Sequence, residues 1–148
     1  MHARVADRPL PPELDPGGQR LILVTAHRRE NFGEPFRELC HALRQIAEQH
    51  ADTCLIYPVH LNPNVQRPVR EILDGAPRVR LTEPVDYAAF VALLSRAYLI
   101  ITDSGGIQEE AAALGKPALV LPWWQPTTLD WGPTSATHQW TCGPMPWT

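Results

Sequence analysis

No stretch of this chain approaches the roughly 20 apolar residues that crossing a bilayer requires. Its first eight residues, Met1 to Arg8, lack the apolar core of a signal peptide. A membrane partner is not expected, and the cytoplasm is the default location. Positive charge is not in excess either. The net charge is −3, which exerts no general pull toward nucleic acid or an anionic surface. There is no HExxH, no Walker loop and no GxGxxG fingerprint. The three cysteines, Cys40, Cys54 and Cys142, form no CxxC pair and no metal-ligand spacing. They read as free, mostly packed thiols in a reducing compartment, so neither a metal nor another cofactor is expected. No internal repeat or heptad is visible.

What remains is an ordinary globular composition. Of 148 residues, 44% are hydrophobic and 20% charged, enough for one layered domain. Proline is plentiful at 16 but unevenly spread. Residues 8–20 carry Pro9, Pro11, Pro12, Pro16, Gly17 and Gly18, a linker composition with no room for a regular element. We therefore expect an N-terminal extension over 1–19, a folded domain over 20–121 and a separate tail over 122–148.

The central region alternates between two periodicities. Leu21 to Thr25, Thr53 to Val59, Val79 to Thr82, Tyr98 to Thr102 and Ala118 to Leu121 read as strands. Glu34 to His50 reads as a helix, with Phe36, Leu39, Cys40, Leu43, Ile46 and Ala47 at spacings of three and four. Asn64 to Leu73 and Gly106 to Leu114 read as shorter helices. Asp86 caps another through Ala97, with Tyr87, Phe90, Val91, Leu94 and Ala97 inward. Near-continuous apolar strands between helices predict an α/β fold, a Rossmann-like doubly wound parallel sheet. Ligands of such sheets bind beyond the C-terminal ends of the strands.

After Leu121 the pattern ends. Residues 122–148 hold all five tryptophans and five prolines, no Lys or Arg, and Asp130 as the only acid. A change of reading frame or other non-native tail is the favoured reading. A Trp-rich surface that packs on a partner is the alternative, and exposed tryptophans there are an aggregation liability.

The residues able to do chemistry gather at the strand ends. Thr102-Asp103-Ser104-Gly105-Gly106-Ile107-Gln108-Glu109-Glu110 runs from a strand through a small-residue turn into a helix. Backbone N–H groups and the helix N-terminus suit an anion there, and two glutamates follow that can accept bonds from sugar hydroxyls. The plainer reading is an ordinary turn with helix-start acids. His27-Arg28-Arg29 after the first strand suits a diphosphate, two guanidinium charges with an imidazole. A solvated basic loop is the alternative. His60, after the second strand, is a ligand contact or a turn residue. His2, His41, His50 and His138 read as surface or tail residues.

Three segments carry a family resemblance: His27-Arg28-Arg29-Glu30-Asn31-Phe32-Gly33, Tyr57-Pro58-Val59-His60-Leu61-Asn62-Pro63-Asn64-Val65 and Asp103 to Glu110. In this order they resemble the non-hydrolysing UDP-N-acetylglucosamine 2-epimerases, over about residues 20–121. The resemblance implies the C-terminal, UDP-binding half of a two-domain GT-B type fold. It implies that Ser104, Gly105 and Gly106 hold the diphosphate and that Glu110 binds the ribose, with Glu109 its competitor. His27 would be catalytic, near phosphates and sugar. Arg28 would contact UDP, and Arg28 and His60 would contact a second, allosteric UDP-GlcNAc. The implied reaction is an isomerisation used in polysaccharide biosynthesis. The C2 proton is removed and UDP eliminated, then UDP adds back to give UDP-N-acetylmannosamine.

The resemblance also sets expectations about what is lacking. The family's proton-transferring carboxylates belong to an N-terminal domain, which is missing here. The family's Arg-Asp-Thr-Thr-Glu-Arg-Pro-Glu segment is replaced after Leu121 by Pro122-Trp123-Trp124-Gln125-Pro126. An incomplete and inactive chain is therefore expected. The alternatives are a GT-B glycosyltransferase fragment, or a non-catalytic module that binds a UDP-sugar. The family is commonly dimeric, so a homodimer is among the implied partners; nucleic acid is not.

Overall fold

The computed structural model describes residues 8–27, 29 and 32–121. Five parallel strands form one sheet: β1 (Arg20–Thr25), β2 (Thr53–Pro58), β3 (Val79–Thr82), β4 (Leu99–Thr102) and β5 (Ala118–Val120). Four helices connect them: α1 (Glu34–Gln49), α2 (Pro63–Leu73), α3 (Tyr87–Arg96) and α4 (Gly105–Ala113). The strand order is β3-β2-β1-β4-β5. The chain thus winds outward from β1 to β3, returns through α3 to lay β4 on the other side of β1, and continues to β5.

Alternation along the strands builds two cores. Ile22, Val24, Leu55 and Tyr57 face Phe36, Cys40 and Leu43 of α1 and Val65 and Val69 of α2. Leu21, Leu23, Cys54, Ile56 and Ile100 face Leu93 and Leu94 of α3 and Ala111 of α4. The side chains of a strand point to opposite faces in turn, so one apolar run feeds both layers. This is a doubly wound, Rossmann-like parallel sheet. Right-handed crossovers require helices on opposite faces once the winding direction reverses, and the two cores show that division.

Several residues sit differently from the sequence expectation. Tyr87, expected inward, is 60% exposed, because it occupies the first position of α3 where the helix enters from solvent. Tyr98, expected in a buried strand, precedes β4 and is 54% exposed, with the Arg20 guanidinium 4.8 Å from its ring centroid. β3 is only half-buried along its length, as befits an edge strand. The proline-rich segment before β1 is not featureless. Pro12–Leu14 form a 3-10 turn, and Leu14 enters the core of the α3/α4 face. Arg80 of β3 donates to the carbonyls of Glu13 and Asp15 and holds that segment against the sheet.

Other expectations agree with the structure. Asp86 Oδ1 accepts the Ala89 N–H at 2.7 Å and caps α3. Cys40 and Cys54 are buried free thiols, and His41 and His50 are exposed. His2, Cys142, His138 and the whole Trp- and Pro-rich tail lie outside the described residues. No helix among the described residues is long and apolar enough to cross a membrane.

Candidate functional site

The winding reverses between β1 and β4, where two neighbouring connections leave in opposite directions and open a crevice at the strands' C-terminal ends. β1 delivers His27 to that edge and β4 delivers Asp103 and Ser104. β2, on the far side of β1, delivers His60.

Polar residues appear where the apolar strands stop. Thr25 and Thr102 are paired in register across β1 and β4 and both are buried. The Thr25 hydroxyl donates to Thr102 Oγ1 at 2.8 Å, and the same oxygen accepts the Ser104 N–H at 3.0 Å. The His27 N–H donates to Asp103 Oδ2 at 2.9 Å. The strand pairing is thereby continued beyond the strands by side chains, and the two loops are joined. Behind them the buried Tyr57 hydroxyl donates to the Ala26 carbonyl at 2.5 Å. Burial pushes the Tyr57 phenol upward, so it remains a donor at neutral pH.

The two histidines singled out from sequence meet here. The rings of His27 and His60 are stacked, with centroids 5.5 Å apart and planes within 8°. Both are exposed. His60 Nδ1 accepts the Asn62 N–H at 3.2 Å, and Asn62 Oδ1 caps α2 through the Asn64 N–H at 2.9 Å. The His60 loop is thus anchored to the start of a helix, and its ring lies against that of His27.

Ser104 is the N-cap of α4, but its hydroxyl makes no capping bond. The first helical bond runs from the Gln108 N–H to the Ser104 carbonyl at 3.1 Å. The N–H groups of Gly105, Gly106 and Ile107 precede it, at the helix end that meets the crevice and carries the positive end of the dipole. The glycines themselves are informative. Neither has the positive φ that demands glycine. A Cβ on Gly105 would meet nothing within 4 Å, and one on Gly106 only Ser104 Oγ at 3.8 Å. Alanine would favour the helix. Folding therefore gives no reason for either glycine, whereas close approach of an anion to bare backbone does.

Glu109 is exposed and Glu110 half-buried. Because α4 begins at Gly105, no acid lies in its first turn, which removes the helix-dipole account of the two glutamates. The ion pairs among the described residues, Arg20–Asp52, Arg37–Glu71 and Arg44–Glu48, are exposed. No group of three or more His, Cys, Asp or Glu that could hold a metal occurs among the described residues. Arg28, expected to contact phosphate, lies outside the described residues. Thr102, Tyr57 and Asp103 fall within the motifs read from sequence but are given no role there, and Thr25 reads only as a strand end. Their signal was polarity at the very end of an apolar run.

A doubly wound parallel sheet with polar residues gathered at its reversal point defines a Rossmann-like domain of the GT-B type. A model of the UDP-N-acetylglucosamine 2-epimerase family matches residues 3–130, and the chain belongs to that family. It is 56% identical over 110 residues to a UDP-N-acetylglucosamine 2-epimerase of Escherichia coli K12, covering 74% of this chain and 29% of that protein. A UDP-GlcNAc 2-epimerase of Neisseria meningitidis, solved bound to UDP-GlcNAc, superposes with a TM-score of 0.68 at 46% identity. The match covers 70% of this chain and 28% of that one. MnaA of S. aureus, in a co-structure with UDP, superposes with a TM-score of 0.71 at 42% identity, covering 75% and 31%. The chain thus spans less than a third of the length of the relatives it matches.

Proposed function

We propose that this domain holds the UDP portion of UDP-N-acetylglucosamine in the crevice between β1 and β4. The observation that carries the reading is the open Gly105-Gly106 start of α4, two glycines that folding does not require. Ser104, Gly105 and Gly106 take the diphosphate. Glu110 takes the ribose hydroxyls, with Glu109 beside it in sequence. His27 lies toward the phosphates and the sugar, Arg28 supplies a further contact, and Arg28 and His60 contact a second UDP-GlcNAc. The relatives solved with UDP-GlcNAc and with UDP support this ligand.

In a complete enzyme of this family the domain would serve interconversion of UDP-GlcNAc and UDP-ManNAc by elimination and re-addition of UDP. Removal and return of the C2 proton need carboxylates poised over the sugar. The acids at this edge among the described residues are Glu34, Glu83, Asp86, Asp103, Glu109 and Glu110. Asp103 is buried and accepts the His27 N–H, Asp86 caps α3, Glu34, Glu83 and Glu109 are exposed, and Glu110 is assigned to ribose. The 148 residues alone therefore bind UDP without turning over the sugar. The division into an extension over 1–19, a UDP-binding domain over 20–121 and a tail over 122–148 belongs to the same proposal.

The experiment is incubation of the chain with UDP-GlcNAc in deuterated water, read by NMR. UDP-induced shifts across Ser104 to Glu110 without deuterium at C2 are expected. Deuterium at C2 would refute the claim of inactivity, and absence of any response to UDP would refute the binding site.

A further inference from the structure

Among the described residues, Asp103 is the only carboxylate buried to within a few per cent, at 4% exposure. It sits beside a crevice that we assign to a diphosphate, where a carboxylate is electrostatically unwelcome as a ligand contact. Its Oδ2 accepts the backbone N–H of His27 at 2.9 Å, across a sequence separation of 76 residues. Its own N–H reaches the Thr25 carbonyl at 3.4 Å, so both ends of the residue lie along β1. The next residue, Ser104, is held by Thr102 Oγ1. We infer that Asp103 is a positioning residue, which fixes the His27 loop relative to the Ser104-Gly105-Gly106 corner. The two halves of the anion site, one from each side of the reversal point, then stay in one geometry. Its work toward His27 is that of a hydrogen-bond acceptor.

The ligand readout of this inference rests on the UDP reading, but a second readout does not. In the chain without nucleotide, the His27 amide should be slow to exchange with solvent and lie downfield, as an N–H bonded to a carboxylate does. Asp103→Ala should abolish both properties. Asp103→Asn, which retains an oxygen acceptor, should keep the slow exchange. UDP titrations should show affinity about tenfold weaker for Asp103→Ala, from loss of one bond to a charged group. Asp103→Asn should stay within about threefold of the parent. Shifts at Gly105 and Gly106 should persist in Asp103→Ala while the His27 response fades.

A folded Asp103→Ala protein with an unchanged His27 amide would overturn the inference, as would unchanged UDP affinity. So would a folded Asp103→Asn protein as weak as the alanine variant, and this comparison also decides the matter if Asp103→Ala does not fold. If the parent chain ignores UDP, the UDP reading fails, and the His27 amide alone then decides the role of Asp103.

Discussion

Alanine at Gly105 and Gly106 should separate folding from binding. At both positions φ lies outside the positive region, and the nearest atom to either new methyl group is Ser104 Oγ at 3.8 Å from Gly106. The folded state loses nothing, while the unfolded chain loses conformational freedom. The gain in an interior helical position is about 0.5–1 kcal/mol, and about 0.5 kcal/mol is expected this close to the helix start. The double variant should be about 1 kcal/mol more stable and melt roughly 3–5 °C higher. Binding should move the other way. Methyl groups over the first turn would hold a diphosphate away from the N–H groups, forfeiting one bond to a charged group at about 1.5–3 kcal/mol. UDP affinity should fall roughly 10- to 150-fold. Urea unfolding and calorimetric titration of the same preparation measure both. A stabilised variant that binds UDP as tightly as the parent would refute the reasoning, because the open corner would then have no ligand to serve. A destabilised variant would refute its structural half.

Three further outcomes are expected. Leu14→Ala should cost about 2–4 kcal/mol in urea unfolding, because Leu14 is a core residue at 3% exposure; an undocked linker would show no change. Tyr57→Phe removes the donor to the Ala26 carbonyl. It should lower stability by about 1–2 kcal/mol and broaden the His27 amide signal, and an unchanged spectrum would argue against this support of the loop. Burial pushes the Cys40 thiol from 9.0 up to about 12. The folded state therefore keeps its proton while the unfolded state loses it, so stability should be constant below pH 9. Cys40 alone should make it fall above that by up to about 1.4 kcal/mol per pH unit. Burial raises the Cys54 thiol as well and adds to the fall over the same range, so Cys40→Ala should reduce the slope between pH 9 and 10 without abolishing it, and an unchanged slope there would assign it to other groups.

Much of this architecture was legible in the chain because its signals are local. Helix α1 follows from a stripe at three- and four-residue spacing, and β1, β2 and β4 from short apolar runs feeding two faces. Edge and entry positions were less legible. Tyr87 and Tyr98 have the composition of core residues, but their exposure depends on where a neighbouring element ends. Leu14 shows the converse: its proline-rich surroundings read as linker, and only the groove beside α3 makes it core.

The identities of the candidate site residues, His27, His60, Ser104, Gly105, Gly106, Glu109 and Glu110, came from the chain alone, since turn chemistry and motif spacing are written in neighbouring positions. Their mutual arrangement did not. Residues 27, 60 and 103 are joined only because the strand order places β1 between β2 and β4. Strand order is set by which faces bury together over the whole sheet, a property no local window contains. The stacked imidazoles, the Thr25–Thr102 pair and the carboxylate of Asp103 beneath the His27 loop are decisions of that tertiary packing.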